Sequence, residues 1–172
     1  MLYLQNAKLN HNSNLLIMKK IVVFVLIAVV LILGLFYFQF QKYFVEDRVD
    51  ENLPEMATKL EPKILKRGNF VDADFIHKGT GMAYILESPE GGKILRFENL
   101  DITNGPDLFV YLAETKTPTG DLKSLGNYID LGRLKGNIGN QNYELPADIT
   151  GYNSIVIWCK KFDVLFPYAI LN

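Results

Sequence analysis

The feature that most constrains this chain of 172 residues is an uninterrupted apolar run, Ile21–Phe38. As a helix rising ~1.5 Å per residue, the run nearly spans the ~30 Å hydrocarbon core of a bilayer. A signal-peptide core would be shorter, at ~7–15 residues, and would end in small residues, whereas this run ends in Leu35-Phe36-Tyr37-Phe38. The sequence therefore predicts one uncleaved transmembrane helix over residues 21–38.

The charges on either side of the apolar run predict its orientation. The only charged residues before it are lysines, whereas acidic and basic residues are mixed after it (Lys8, Lys19 and Lys20 before; Lys42, Glu46, Asp47, Arg48, Asp50 and Glu51 after). The positive-inside rule then places residues 1–20 in the cytoplasm as a short tail and the C-terminal part outside. We therefore expect a single-pass protein of the cell membrane. Because two lysines and the apolar run follow Met18, either Met18 or Met1 could be the true start.

The chain after the apolar run divides into two parts by composition. Residues 39–67 mix both charges and contain Pro54 and Pro62, which is typical of a stalk or linker, although this segment could instead pack on a domain. From Gly68 onward the pattern changes to about eight short apolar or alternating runs, separated by turn sequences such as Asn104-Gly105-Pro106-Asp107. This pattern predicts an all-β domain, an antiparallel β-sandwich or barrel, over residues 68–172.

The segment Ser154–Phe162 holds the only cysteine and the only tryptophan of the chain. It is rich in β-branched and aromatic residues, which predicts a strand. Its alternate residues form two faces that are apolar until the lysines (Ile155, Ile157 and Cys159 on one; Val156, Trp158 and Lys160 on the other). We therefore expect a central strand whose last residues leave the core. The Cys159 thiol would then lie near the surface, on the same face as Lys161.

Charge and cysteine content exclude several classes of function. The formal net charge is −1, so electrostatics give no reason to expect nucleic acid as a partner. A single cysteine cannot form an intrachain disulfide, an iron–sulfur site or a multi-cysteine zinc site. Asp107 and Asp130 flank predicted strands and could act as general bases, but Asp107 after Gly-Pro is better explained as a turn residue. We do not expect a hydrolase, and whether the chain is an enzyme stays open.

His77 is the only histidine after the apolar run, and it is the residue that we considered for cofactor binding. A blue-copper site needs two histidines and a cysteine, and a structural zinc site needs four Cys and His ligands, so the sequence predicts no metal site. A non-covalent haem with His77 and Met82 as axial ligands is the cofactor hypothesis that the residues allow. The alternative is a surface or turn histidine, and the sequence identifies no cofactor.

Three motifs resemble one known family. They are Asn104-Gly105-Pro106-Asp107-Leu108-Phe109-Val110-Tyr111-Leu112, the segment from Asp130 to Tyr143, and Ile157-Trp158-Cys159-Lys160-Lys161-Phe162. Together they resemble the DM-thirteen domain family, a small all-β extracellular module also described as an electron-transfer DM domain. The resemblance covers Gly68 to Leu171 and implies that Cys159 is the proposed redox residue. Members of that family occur beside DOMON and cytochrome b-type domains, which implies extracellular electron transfer and makes a redox protein a possible partner.

Two functional hypotheses follow from these residues. The first is a membrane-anchored, extracytoplasmic redox module that acts through the Cys159 thiol, whose thiolate nearby lysines could favour. Because the chain has no second cysteine, oxidation would end in a sulfenic acid, a reversible cap or a disulfide with a partner. The second is a non-catalytic ligand-binding or adhesion module that uses the polar loop Gly136–Asn142, with Cys159 as a buried, small apolar residue.

Overall fold

A computed structural model of the protein describes residues 2–41, 46–54 and 62–172. The chain separates into an N-terminal helical unit and a C-terminal β unit. The first unit is one helix, α1 (Leu2–Gln41). Its segment Ile17–Tyr37 is long and apolar enough to cross a membrane, and its side chains are almost all exposed. The predicted apolar helix is therefore present. It continues back through the predicted tail, where residues 2–20 contain no glycine or proline to end it.

The C-terminal unit is built from β-strands. In chain order the strands are β1 (Arg48–Asp50), β2 (Lys63–Val71), β3 (Gly79–Glu87), β4 (Lys93–Ile102), β5 (Leu108–Ala113), β6 (Tyr128–Arg133), β7 (Ile138–Leu145), β8 (Ser154–Cys159) and β9 (Val164–Ile170). They form one sheet in the order β1-β7-β4-β3-β2-β9-β8-β5-β6, curled into a half-barrel. Every neighbouring pair is antiparallel except β1 and β7, which are parallel. The predicted all-β fold is confirmed.

Strand β2 joins the two halves of the curled sheet. Its first part, from Lys63 to Asn69, pairs with β3, while Phe70 and Val71 pair with β9. At Gly68 the backbone carbonyl of Ile170 comes so close that a Cβ atom would overlap it. Only a residue without a side chain allows this approach, so Gly68 permits the sheet to curl at β2.

Strand β8 lies between β9 and β5, and all six of its residues are buried. Ile155, Ile157 and Cys159 belong to the main core inside the half-barrel. Val156 and Trp158 belong to a second apolar cluster on the outer side, which also contains Leu125 of the 3₁₀ helix Leu122–Leu125. The prediction of a central strand with two apolar faces is therefore confirmed.

The predicted stalk, residues 39–67, contains strand structure at two places. Residues 48–50 form β1, and residues 63–67 are the start of β2. Residues 42–45 and 55–61 lie outside the described part of the chain, so a stalk there stays a prediction. The local sequence gives little sign of β1, because it has three residues and pairs with Ile138–Asn140, ninety positions later.

We predict that Gly68→Ala destabilises the β unit by about 1–3 kcal/mol, because the new methyl group must displace the Ile170 carbonyl or the strand. Gly120→Ala is the matched control, because nothing lies within 4 Å of its Cβ position. Urea unfolding of the two variants and the wild type measures the difference. Equal stability of both variants would contradict the close approach at β2.

Candidate functional site

The three sequence motifs meet at one end of the half-barrel, which we call the motif end. It comprises the loops 72–78, 103–107 and 134–137, the turn 160–163 and the start of β1. The Lys160 amide donates to the Asp107 carbonyl at 3.0 Å, which joins the turn after β8 to the loop before β5. The Leu134 amide donates to the Leu108 carbonyl at 2.9 Å, which joins the loop after β6 to β5. Residues far apart in the sequence therefore form one continuous surface.

Cys159 is the last residue of β8 and lies opposite Leu108 of β5 and Val164 of β9. Its exposed fraction is 0%, and it belongs to the main apolar core. The expectation that the thiol lies near the surface is therefore wrong. The strand ends at Cys159 and the chain turns at once, so Lys161 lies in the turn and not farther along the same face of a strand.

Lys160 directs its charge away from the core. Its ammonium lies 2.7 Å from an Asp130 carboxylate oxygen and 3.5 Å from the centre of the Phe109 ring. Arg133 contacts the same ring at 5.1 Å and forms a 2.6 Å ion pair with Asp107. Lys160 and Arg133 are thus each paired with a carboxylate and with the Phe109 ring, on the outer side of the sheet.

A row of aromatic side chains follows this charged group on the outer side of β5, β6 and β8. Tyr111 and Tyr128 stack with their ring centres 4.6 Å apart. Burial, followed by the charge of Asp130, raises the pKa of Tyr111, so its hydroxyl stays protonated. Trp158 is paired with Phe109 across the strands, and its indole N–H donates to Asp163 at 3.2 Å. Trp158 and Cys159 are neighbours in the chain but face opposite sides of the sheet.

His77, the residue considered for cofactor binding, lies in the loop between β2 and β3. The alternative that the sequence left open was a histidine on the surface or in a turn. One Asp74 oxygen accepts the backbone N–H groups of Ile76 and His77, and the other lies 2.7 Å from His77 Nδ1. The His77 ring also packs on Phe166, with ring centres 4.3 Å apart. The hydrogen bonds from the His77 backbone and ring lower the pKa of Asp74 to about 2. Through these contacts His77 helps to order the loop between β2 and β3.

Met82, the second haem ligand considered, lies on β3 in register with Asn69 and Glu98. The haem hypothesis for His77 and Met82 remains untested. Over residues 2–41, 46–54 and 62–172, no group of three or more His, Cys, Asp or Glu side chains is placed to hold a metal ion.

The polar segment between β6 and β7 is ordered by contacts within the chain. The buried Gln141 amide donates to the Gly136 carbonyl at 2.6 Å and accepts the Tyr143 hydroxyl at 2.8 Å. Asn137 accepts the Asp47 amide at 2.7 Å, at the start of β1. Strand β1 also pairs with Ile138–Asn140, so Asp47 and β1 together cover much of the loop considered for ligand binding.

An open groove of about 760 Å³ lies beside β4 and β7. Glu51 and Lys135 form a 2.7 Å ion pair in its wall, and Tyr143 and Lys93 also line it. Burial alone would raise the pKa of Glu51, but hydrogen bonds from Lys135 and from the Asn142 amide outweigh it and hold the pKa below its usual value. The groove has both charged and apolar walls. The sequence did not indicate it, because its walls come from distant segments.

Sequence reasoning also missed the contacts of Phe109, Lys160 and Arg133. A signal was available, since alternation along each motif puts Phe109 on the same face as Tyr111. What the alternation cannot give is the cross-strand register that brings Lys160 to Asp130.

The structure thus defines a class: a half-barrel β domain after one apolar helix that could span a membrane, with its motifs gathered at one end. A family model described as Electron transfer DM13 matches residues 69–171, and the chain belongs to this family. Comparisons with curated proteins and with solved structures found no match.

We predict that Cys159 in the folded chain reacts with iodoacetamide about 100-fold or more slowly than in urea, because local opening must precede reaction. Mass spectrometry of timed reactions measures both rates, and Cys159→Ala provides the unlabelled control. Equal rates in the folded and unfolded chain would contradict the enclosed position of the sulfur.

We predict that Asp74 titrates near pH 2. A carboxyl whose pKa is lowered on folding stabilises the fold above its unfolded value of about 3.9, and this contribution is lost as the pH falls through about 2. Carboxyl NMR gives the midpoint. Asp74→Asn should speed amide exchange at Ile76 and His77 at neutral pH. Asp148→Asn, which alters another exposed turn, should leave both amides unchanged. A midpoint near 3.9 would contradict this prediction.

Proposed function

We propose that this protein is a membrane-anchored, extracytoplasmic module that takes part in electron transfer. Two observations support the proposal: the match to the Electron transfer DM13 family and the apolar helix Ile17–Tyr37. The lysines before that helix and the mixed charges after it support an orientation with the N-terminus in the cytoplasm and the β domain outside. The partner is a redox protein that lies at the outer surface of the membrane or in the space beyond it.

Cys159 is the proposed redox residue. The observation that carries this assignment is its position, because the chain's one thiol lies at the end of β8 where the three motifs meet. A buried thiol does not react directly with a dissolved oxidant. The turn 160–163 next to it is exposed, however, and such a segment opens at a lower free energy than the core. Reaction at sulfur therefore follows opening of the turn between β8 and β9.

The chemistry of this step uses one sulfur. With hydrogen peroxide as the oxidant, the thiol and the peroxide give a sulfenic acid and water, and two electrons pass from sulfur to the peroxide. Two thiols then return the sulfenic acid to the thiol, with release of a disulfide and a second water. Because the chain has no other cysteine, those two thiols come from a partner or from a small reductant.

A second candidate is a non-catalytic ligand-binding or adhesion module in which Cys159 is structural. The complete burial of the sulfur among apolar side chains favours it, since buried cysteines commonly act as small apolar residues. The groove walled by Glu51, Lys135 and Tyr143 would then be the ligand site, in place of the loop that β1 covers.

Oxidation kinetics of the full chain in detergent micelles separate the two candidates. We expect hydrogen peroxide to add one oxygen to Cys159 faster than the chain unfolds globally, and dithiothreitol to remove it; Cys159→Ala should show neither change. Peptide mass spectrometry follows the oxygen added at residue 159 separately from oxygen added at the methionines, and urea jumps give the unfolding rate. If oxidation occurs only at the rate of global unfolding, the redox assignment of Cys159 is wrong and the structural candidate stands.

A further inference from the structure

Exposed apolar side chains project from the loops of the motif end. Phe75 and Ile76, between β2 and β3, are 83% and 56% exposed, and Phe162, between β8 and β9, is 55% exposed. Single exposed apolar residues are common, but large ones gathered on neighbouring turns mark an interaction surface. We call these three residues the apolar tips.

Hydrogen bonds tie the two loops to the same end of the domain. Thr103 accepts the Lys78 amide and donates to the Ile76 carbonyl, both at 2.9 Å, so the first loop rests on the segment between β4 and β5. The second loop reaches that segment through the Lys160–Asp107 hydrogen bond.

The chain enters the β domain at this end as well. Asp47 donates its amide to Asn137 at 2.7 Å, and its carbonyl accepts the Ile138 amide at 3.2 Å. A small cavity of about 190 Å³ is lined by Asp47 together with residues of the loops 104–106 and 134–137.

The connecting segment is short. In the sequence, eight residues separate Tyr37, the last residue of the apolar span, from Glu46. Residues 38–41 belong to α1 and advance ~1.5 Å each, and a fully extended chain advances at most ~3.6 Å per residue from there to Glu46, so this connection reaches about 25 Å and no farther. Because the chain enters the β domain at the motif end, this is the end of the half-barrel that the connection reaches first.

We propose that the motif end docks on the lipid surface, with Phe75, Ile76 and Phe162 inserted at the membrane interface. The proposal rests on the membrane anchor of the proposed function. Three side chains form too small a contact for a stable protein complex, which normally buries more than about 1,000 Å². A tethered domain needs a smaller contact area, because the tether gives it a high effective concentration at the membrane surface. Aromatic residues also favour the membrane–water interface.

The charges around the apolar tips indicate the lipid. The loop 72–78 and the turn 160–163 together carry three lysines and three aspartates (Lys78, Lys160 and Lys161; Asp72, Asp74 and Asp163). Their formal charges sum to zero, so an anionic lipid gains no net electrostatic attraction from these two loops. The surface therefore suits a zwitterionic headgroup such as phosphatidylcholine. Docking would hold the end of β8, and with it Cys159, beside the membrane.

Trp158 provides the probe for a test on the full chain. It is the only tryptophan of the chain, and its indole N–H donates a hydrogen bond to Asp163, the residue that directly follows Phe162. We would place the protein in phosphatidylcholine nanodiscs, part of whose lipids carry a nitroxide on the headgroup, and measure quenching of tryptophan fluorescence. We expect quenching in the wild type and its loss in a variant with Phe75→Ser, Ile76→Ser and Phe162→Ser. Phe162→Ser alone should fall between them.

Ile64→Ser is the matched control, because Ile64 is 53% exposed and lies at the other end of β2. The tryptophan fluorescence of this variant should be quenched as much as that of the wild type. Circular dichroism checks that each variant is folded. If the folded triple variant stays in the discs and is quenched like the wild type, docking is wrong while the anchor stands. If the wild-type chain leaves the discs, the anchor is wrong and docking falls with it.

Discussion

Burial of both faces of β8 is the constraint on which the rest of the β domain depends. Its inner residues complete the main core, and its outer residues, Val156 and Trp158, form the centre of a second cluster. A strand buried on two sides needs a neighbour at each edge, and β9 and β5 provide them. The outer cluster also needs a cover, which the 3₁₀ helix around Leu125 supplies. The end of β8 therefore fixes where the turn 160–163 and the loops facing it lie.

Polar contacts fix the other half of the sheet, where apolar packing alone would leave β7 at an edge. Arg96 is buried and donates to the Glu51 carbonyl at 2.6 Å, and Glu51 itself binds Lys135. These contacts hold the segment after β1 against β4 and β7, where Nη1 of the buried Arg96 donates to both Glu51 and Asn142. Gly139, with φ of +108°, lets the Val49 backbone approach β7. The entry of the chain into the domain is thus part of the fold.

The position of Cys159 joins the structural and functional questions. Its strand ends next to an exposed turn, yet the sulfur itself faces the main core. The lysine that follows it is held by Asp130 and the Phe109 ring, so its charge stabilises the outer surface. Redox chemistry at this sulfur accordingly requires motion, whereas the apolar tips of the same end are exposed without it. The proposed membrane docking needs only side chains that are already exposed, whereas the proposed thiol chemistry needs opening of the turn 160–163.

The sequence by itself determined the apolar helix, most of the strands, the two faces of β8 and the family. These depend on periodicity and composition within short segments, which consecutive residues encode. Tertiary structure alone decided that β1 pairs with β7, that Lys160 meets Asp130 and that Cys159 is enclosed. Each of these depends on cross-strand register and on the curl of the sheet, because a residue such as Leu108 becomes a neighbour of Cys159 only after the strands pair.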